Sequence, residues 1–204
     1  MEKARDSVRK RPGRPLSFDR SKALDDALLQ FWRTGYETTS VSDLTQAMGI
    51  TAPSLYTAFG DKEALFLECV ERYTNPEPKS ASQRIAEAPS ARQAAQQLLE
   101  LSAWWFTQSG KPLGCLVASA ASSGSEASHR VRTALRRVRQ DSLKALRQRV
   151  ERDIRNGHLP KTTSPEALAT MTIAIVQGMS TLARDGASRD VLLEIARTAM
   201  KAWP

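Results

Sequence analysis

Cysteine and histidine are scarce in this chain, two of each in 204 residues. Cys69 and Cys115 lie far apart and form no CxxC pair, so a disulfide framework is not expected and reduced, buried thiols are the default reading. His129 and His158 each stand alone, and a metal site built on Cys115 and His129 would lack further ligands, so no metal is expected. Signatures of catalysis are also missing. There is no phosphate loop, no GxSxG, no HExxH and no GxGxxG after a strand, so no catalytic residue and no cofactor are assigned. Long apolar runs are lacking too. The most apolar stretch, 167–179, is too short to span a bilayer and is interrupted by Thr170, Thr172 and Gln177. Residues 1–15 are basic with no apolar run behind them, unlike a secretory leader, and a soluble cytoplasmic protein is the expectation. Alternating apolar and polar runs are absent as well, and neither Asn156-Gly157 nor Asp185-Gly186 stands between two such runs as a hairpin signal, which argues against β-structure.

Positive charge is what the chain has in excess. Thirty Lys and Arg stand against 22 Asp and Glu, a net charge of +8 with a pI near 9.9. Such a balance favours nucleic acid or an anionic membrane surface as partner, through counterion release and long-range attraction. Hydrophobic residues at 41% and a length of 204 residues suffice for a sizeable core.

Nearly everything after Phe18 reads as helix, about nine in all. The first spans 18 or 19 to 34, with Leu24, Leu28 and Phe31 on one face and Gly35 as its stop. A second, 41–48, is capped by Ser40 with Asp43 three residues on. Gly49 ends it, and Thr51 caps a third, 52–59, in whose first turn Pro53 is harmless. Asp61 caps a fourth that continues to about residue 73. The stretch 75–91, rich in Pro, Ser and Ala, marks a boundary with at most one helical turn at 81–87. Beyond it, helices are expected at 90–108, 115–121, 126–156, 164–182 and 188–200. The chain thus divides into a basic arm at 1–16, a small domain at 17–74 and a larger helical domain at 75–204.

Helices two and three, joined by Gly49-Ile50-Thr51, have the sequence form of a helix-turn-helix. Between Ile50 and Gly60 there is no Lys or Arg, despite the basic surroundings. A recognition helix enters the major groove by its N-terminal end, so it can be short, and slim residues let it approach base edges. Thr51, Ala52, Pro53 and Ser54 are slim. Tyr56 and Thr57 fall on the exposed side, and Lys62 supplies a cation beside the groove.

The segment FWRTGYETTSVSDLTQAMGITAPSLYTAFGDKEALF resembles the N-terminal DNA-binding domain of the TetR family of bacterial transcriptional regulators. The matching pattern is Phe31, Gly35-Tyr36, Thr39-Ser40-Val41, Leu44 and Gly49, then Leu55-Tyr56, Phe59, Lys62-Glu63 and Leu65, within roughly residues 18–70. The resemblance implies a homodimer that binds a palindromic operator on double-stranded DNA, usually as a repressor, and releases it when a small-molecule effector enters the C-terminal domain. It places Thr39 and Ser40 at phosphate, Thr51, Ala52, Pro53, Ser54 and Thr57 toward bases, and Tyr56 and Lys62 on the backbone. Ala52 and Pro53 depart from the Gly or charged residue frequent at those positions. Direct readout would therefore rest on few hydrogen bonds.

Other features carry two readings each. The arm RKRPGRP is either a solvated tail or a minor-groove contact through Arg11 or Arg14, with Pro12 in place of the first arginine of an AT-hook core. The arginines from Arg130 to Arg155 form the wet face of a long helix or a second nucleic-acid surface. Leu101, Trp104, Trp105, Cys115, Met171 and Ile175 are candidate effector contacts. Three consecutive aromatics at 104–106 cannot all face one way, so at least one is structural. Ala174, Gly178, Leu182, Leu192 and Ile195 are candidates for a four-helix interface across a two-fold axis. Rival functions are an architectural DNA-binding protein acting through charge alone, a helical carrier or enzyme of small molecules, and a membrane-surface protein.

Overall fold

Four N-terminal helices pack so that the second and third lie at the surface while the first and fourth back them. A computed structural model describes residues 18–75, 79–121 and 129–204. Helix α1 is Arg20–Thr34, α2 Val41–Met48, α3 Ala52–Phe59 and α4 Lys62–Thr74. Each starts at a side-chain cap: Asp19, Ser40, Thr51 and Asp61 all accept from backbone N–H groups of the first turn. Their apolar faces meet in one core of Leu24, Ala27, Phe31, Leu44, Met48, Leu55, Phe59, Leu65 and Phe66. Phe31 stands edge-on to Phe66 at 5.0 Å between ring centroids, a favoured aromatic geometry.

The rest of the chain adds α5 Ala81–Glu87, α6 Ala91–Phe106, α7 Leu116–Ala121, α8 His129–Arg155, α9 Pro165–Arg184 and α10 Arg189–Ala199, with a short 3-10 turn at Met200–Ala202. Among the described residues this makes ten α-helices and no strand. The extra helix is α5. Ser80 and Gln83 form a reciprocal capping box there, and Ile85 is buried as its anchor. No helix of the described residues is long and apolar enough to cross a membrane.

Packing continues across the boundary expected after residue 74. The core around α1–α4 also takes Leu116 and Val117 from α7 and Val131 and Leu135 from α8. Farther along, Leu146 and Val150 of α8 enter a second core with Leu99, Ala103, Met179 and Leu192. The long helix thus runs from one core to the other. Polar contacts reinforce the junction. Trp32 Nε1 donates to the Gly114 carbonyl at 3.2 Å, and Tyr73 Oη donates to Cys115 Sγ at 3.4 Å. Arg184, at the end of α9, reaches the carbonyls of Trp32 and Arg33, so α1 ends on a cation.

One ion pair is fully inside. Arg149 and Asp153, 5% and 3% exposed, bond to each other within α8. Arg149 also donates to the carbonyls of Ala88 and Pro89, and Asp153 accepts from the Ala91 N–H. The pair thereby satisfies the turn between α5 and α6, which is how buried charges are tolerated.

Candidate functional site

The turn between α2 and α3 is set by one glycine. Gly49 adopts φ 63° and ψ 33°, the left-handed conformation that costs little only without a side chain. Its N–H bonds to the Gln46 carbonyl and the Ile50 N–H to that of Thr45. That pair of bonds closes a Schellman stop. Ile50 packs on the core beside it, and Thr51 then opens α3, its hydroxyl accepting from the Ser54 N–H.

The faces of α3 are cleanly separated. Leu55 is 0% and Phe59 4% exposed, pinning the helix to the core. Thr51, Pro53, Tyr56 and Thr57 are exposed, while Ala52 and Ser54 are half-buried. Tyr56 is 50% exposed. Thr57 Oγ1 donates to the Pro53 carbonyl at 2.8 Å, which leaves the hydroxyl oxygen able to accept. Thr51 and Ser54 hydroxyls touch at 2.9 Å. No side chain of α3 is ionisable except Tyr56. Its outer surface is a narrow ridge of hydroxyls and small apolar groups.

Around it the expected phosphate contacts differ among themselves. Ser40 is exposed at the start of α2, in a capping box where its N–H and hydroxyl both donate to Asp43 Oδ2, at 2.8 and 2.7 Å. These bonds hold the Asp43 pKa below the usual carboxylate value. Thr39 departs from the expectation of a phosphate contact. It is 1% exposed, and its hydroxyl donates to the Gly35 carbonyl and touches that of Thr34, locking the α1–α2 connection. Lys62 is half-buried. Its ammonium lies 4.6 Å from the centroid of the Tyr36 ring and 3.4 Å from the Glu37 carbonyl. Burial lowers its pKa, against the opposing pull of the Glu37 and Asp43 carboxylates. Arg11 and Arg14 lie outside the described residues.

Below this domain is a cavity of about 510 Å³. Of the candidate effector contacts, Leu101, Trp104, Trp105 and Cys115 line it, but Met171 and Ile175 do not. Those two pack against the second core. The α9 wall is instead Ile173, Val176 and Gln177, an i, i+3, i+4 set readable at helical spacing. Phe106, at 4% exposure the most buried of the aromatic triplet, packs into the second core and also borders the cavity. Tyr73 of α4 and Arg139 of α8 also line the cavity, and sequence reasoning had not placed either there.

Of the expected interface residues, Ala174, Gly178 and Leu182 are exposed and share one face of α9 at i, i+4, i+8. Leu192 is a correction: at 0% exposure it belongs to the chain's own core, leaving nothing for a partner. Ile195 is half-buried against the same core, whereas Val191 beside it is 50% exposed.

Two short helices joined at a left-handed glycine, the second offering a slim uncharged ridge, define a helix-turn-helix nucleic-acid-binding protein. Comparison with known proteins agrees. Residues 23–69 match the model of bacterial regulatory proteins of the tetR family, and residues 92–200 match a tetracyclin repressor-like C-terminal domain. The chain is 35% identical over 198 residues to the HTH-type transcriptional repressor ComR of Escherichia coli K12, covering 97% of this chain and 94% of that protein. A cysteine-substituted form of the TetR family transcriptional regulator CifR, solved with 26 bp double-strand operator DNA, superposes with a TM-score of 0.87. It is 41% identical, covering 94% of this chain and all of that one. The chain belongs to the TetR family.

Proposed function

We propose that this protein is a sequence-specific transcriptional repressor that binds a palindromic operator as a homodimer and is released by a small molecule in its C-terminal cavity. The observation that carries the reading is the α3 ridge. Tyr56 and Thr57 point outward while Leu55 and Phe59 fix the helix from behind. Affinity comes from phosphate contacts around the ridge, including the Ser40 end of α2 and Lys62; discrimination comes from the ridge itself. The relative CifR, named above as solved with operator DNA, supports the same use of this surface. The exposed Ala174–Gly178–Leu182 stripe of α9 supplies a close-packing face for a second copy.

Two ridges related by a two-fold axis must lie about 34–36 Å apart to enter successive major grooves. A ligand that fits the cavity better at another spacing lowers the DNA-competent population by its differential affinity. Selection of bound duplexes from a random pool tests the reading. A two-fold symmetric consensus is the expected result. Enrichment of no sequence, with a steep salt dependence for every duplex, would establish the architectural alternative instead.

A further inference from the structure

The polar chemistry of the cavity is uneven. Its body is apolar, formed by Leu98, Leu101, Trp105, Val138, Ile173 and Val176. Four charged side chains border it, Lys79, Arg84, Asp141 and Arg139. Lys79 pairs with Glu87; Arg84 and Asp141 are exposed. Arg139 is different. It is half-buried, and among the described residues no carboxylate lies within 4.0 Å of it; Arg136, Arg137, Arg152 and Arg155 of the same helix, which also lack one, are all exposed. Its side chain makes a long bond, from Nη1 to the Val117 carbonyl at 3.4 Å. Burial draws its pKa below the ordinary arginine value, against a small opposing effect of Cys115. A guanidinium keeps its charge even so.

We infer that the cavity takes an amphipathic organic monocarboxylate, anchored by its carboxylate on Arg139 with its apolar body against Leu101, Trp105 and Val176. This rests on the reading of the cavity as the effector site. A half-buried guanidinium with no carboxylate partner among the described residues balances one negative charge, and its fork matches a planar carboxylate. The volume suits a drug-sized molecule. Tyr73 and Cys115 beside it are already hydrogen-bonded to each other, so the cation is the group that gains most from a ligand.

The same contact gives the ligand a route to the DNA-binding face. Val117, whose carbonyl Arg139 holds, is 5% exposed in the core that contains Phe31, Leu55 and Phe66. A carboxylate that draws the guanidinium toward itself removes a tie between α8 and α7, and α7 is seated on α1 and α4.

The test uses the full chain and four probes, 4-phenylbutanoate and decanoate with their primary amides, followed by calorimetry at physiological ionic strength. In the wild type each carboxylate binds at least tenfold more tightly than its amide. Arg139→Met abolishes that preference, and Arg139→Lys keeps part of it. Equal binding of acid and amide, binding of no probe, or a preference that survives Arg139→Met would overturn the inference. Because the first two outcomes are read on the wild type, they hold even if a variant folds poorly. Duplex selection without any probe is run separately. A symmetric consensus with no carboxylate preference sinks this inference and leaves the repressor reading standing. An Arg139-dependent preference with no consensus upholds the site and sinks that reading.

Discussion

Gly49 and Gly114 share a positive φ but not a surrounding, and the difference is measurable. Gly49 has φ +63° and a Cβ placed there meets nothing within 4 Å. Gly114 has φ +76°, and its Cβ would sit 2.7 Å from the Ser180 carbonyl oxygen and 2.8 Å from Arg184 Cγ. Left-handed backbone costs an L-residue roughly 1–2 kcal/mol, partly offset by about 0.4–1 kcal/mol from a stiffer unfolded chain. Gly49→Ala should therefore destabilise by about 1 kcal/mol. At Gly114 the carbonyl is backbone and cannot swing aside, so overpacking adds roughly 1–3 kcal/mol. The shift would also disturb the Trp32 bond to the Gly114 carbonyl and the Cys115 N–H bond to Ser180 Oγ, at 3.2 and 2.8 Å. Urea unfolding at one fixed protomer concentration, which removes mass-action differences, compares both variants with the wild type. Gly49→Asn is a useful third, since Asn tolerates the left-handed region better. Loss at Gly114 should be at least twice that at Gly49, with Gly49→Asn milder than Gly49→Ala. Equal losses at the two glycines, or a neutral Gly49→Ala, would refute the turn geometry.

The other predictions concern charge and contact. Tyr56→Phe should weaken binding to the selected duplex several-fold without lowering the melting temperature; Lys62→Ala should weaken it too, with a stability loss of about 1 kcal/mol or less from the Tyr36 contact. Unchanged affinity in fluorescence anisotropy for both would remove these side chains from the interface. Asp43 has its pKa lowered chiefly by the Ser40 bonds, so its stabilising effect is complete above the unfolded value of 3.8 and is lost as pH falls through the lower folded value. The stability advantage of wild type over Asp43→Ala should accordingly persist from neutral pH to about the unfolded value and vanish only below it; an advantage already gone at pH 5 would contradict the capping box. Asp153→Ala leaves Arg149 buried without its partner and should cost about 3–5 kcal/mol in urea melts. The double change Arg149→Met with Asp153→Leu should recover much of that, and a harmless Asp153→Ala would show the pair to be dispensable.

The parts of the molecule legible in the sequence are those set by neighbours in the chain. Ser40 with Asp43, Gly49, Thr51 and Pro53 fix two helix starts and the stop between them within fourteen residues, so the probe-like α3 could be read directly. Which way a side chain turns, and what it packs against, was not legible. Thr39 sits just before a cap, yet its hydroxyl turns back to Gly35 and is unavailable outside. In α9 the periodic stripe through Met171 and Ile175 marks the core, and the cavity wall is a second stripe through Ile173 and Val176. Leu192 has the look of an interface residue because nothing local tells an intrachain core from one shared with a copy. Helix α5 reads only as one turn at 81–87 inside a Pro- and Ser-rich stretch, although Ser80 and Gln83 spell its capping box.

The central claim is that the outward side of α3 lies against base edges. A Thr57→Cys chain in a Cys115→Ser background, carrying a short photo-activated linker, reports on it directly when bound to the selected duplex. Cross-links should map to bases within each half-site, on their major-groove edges, whereas the same linker at the exposed position Lys161→Cys should give none. Attachment from Lys161→Cys but not from Thr57→Cys, or attachment spread evenly along the duplex, would contradict the docking.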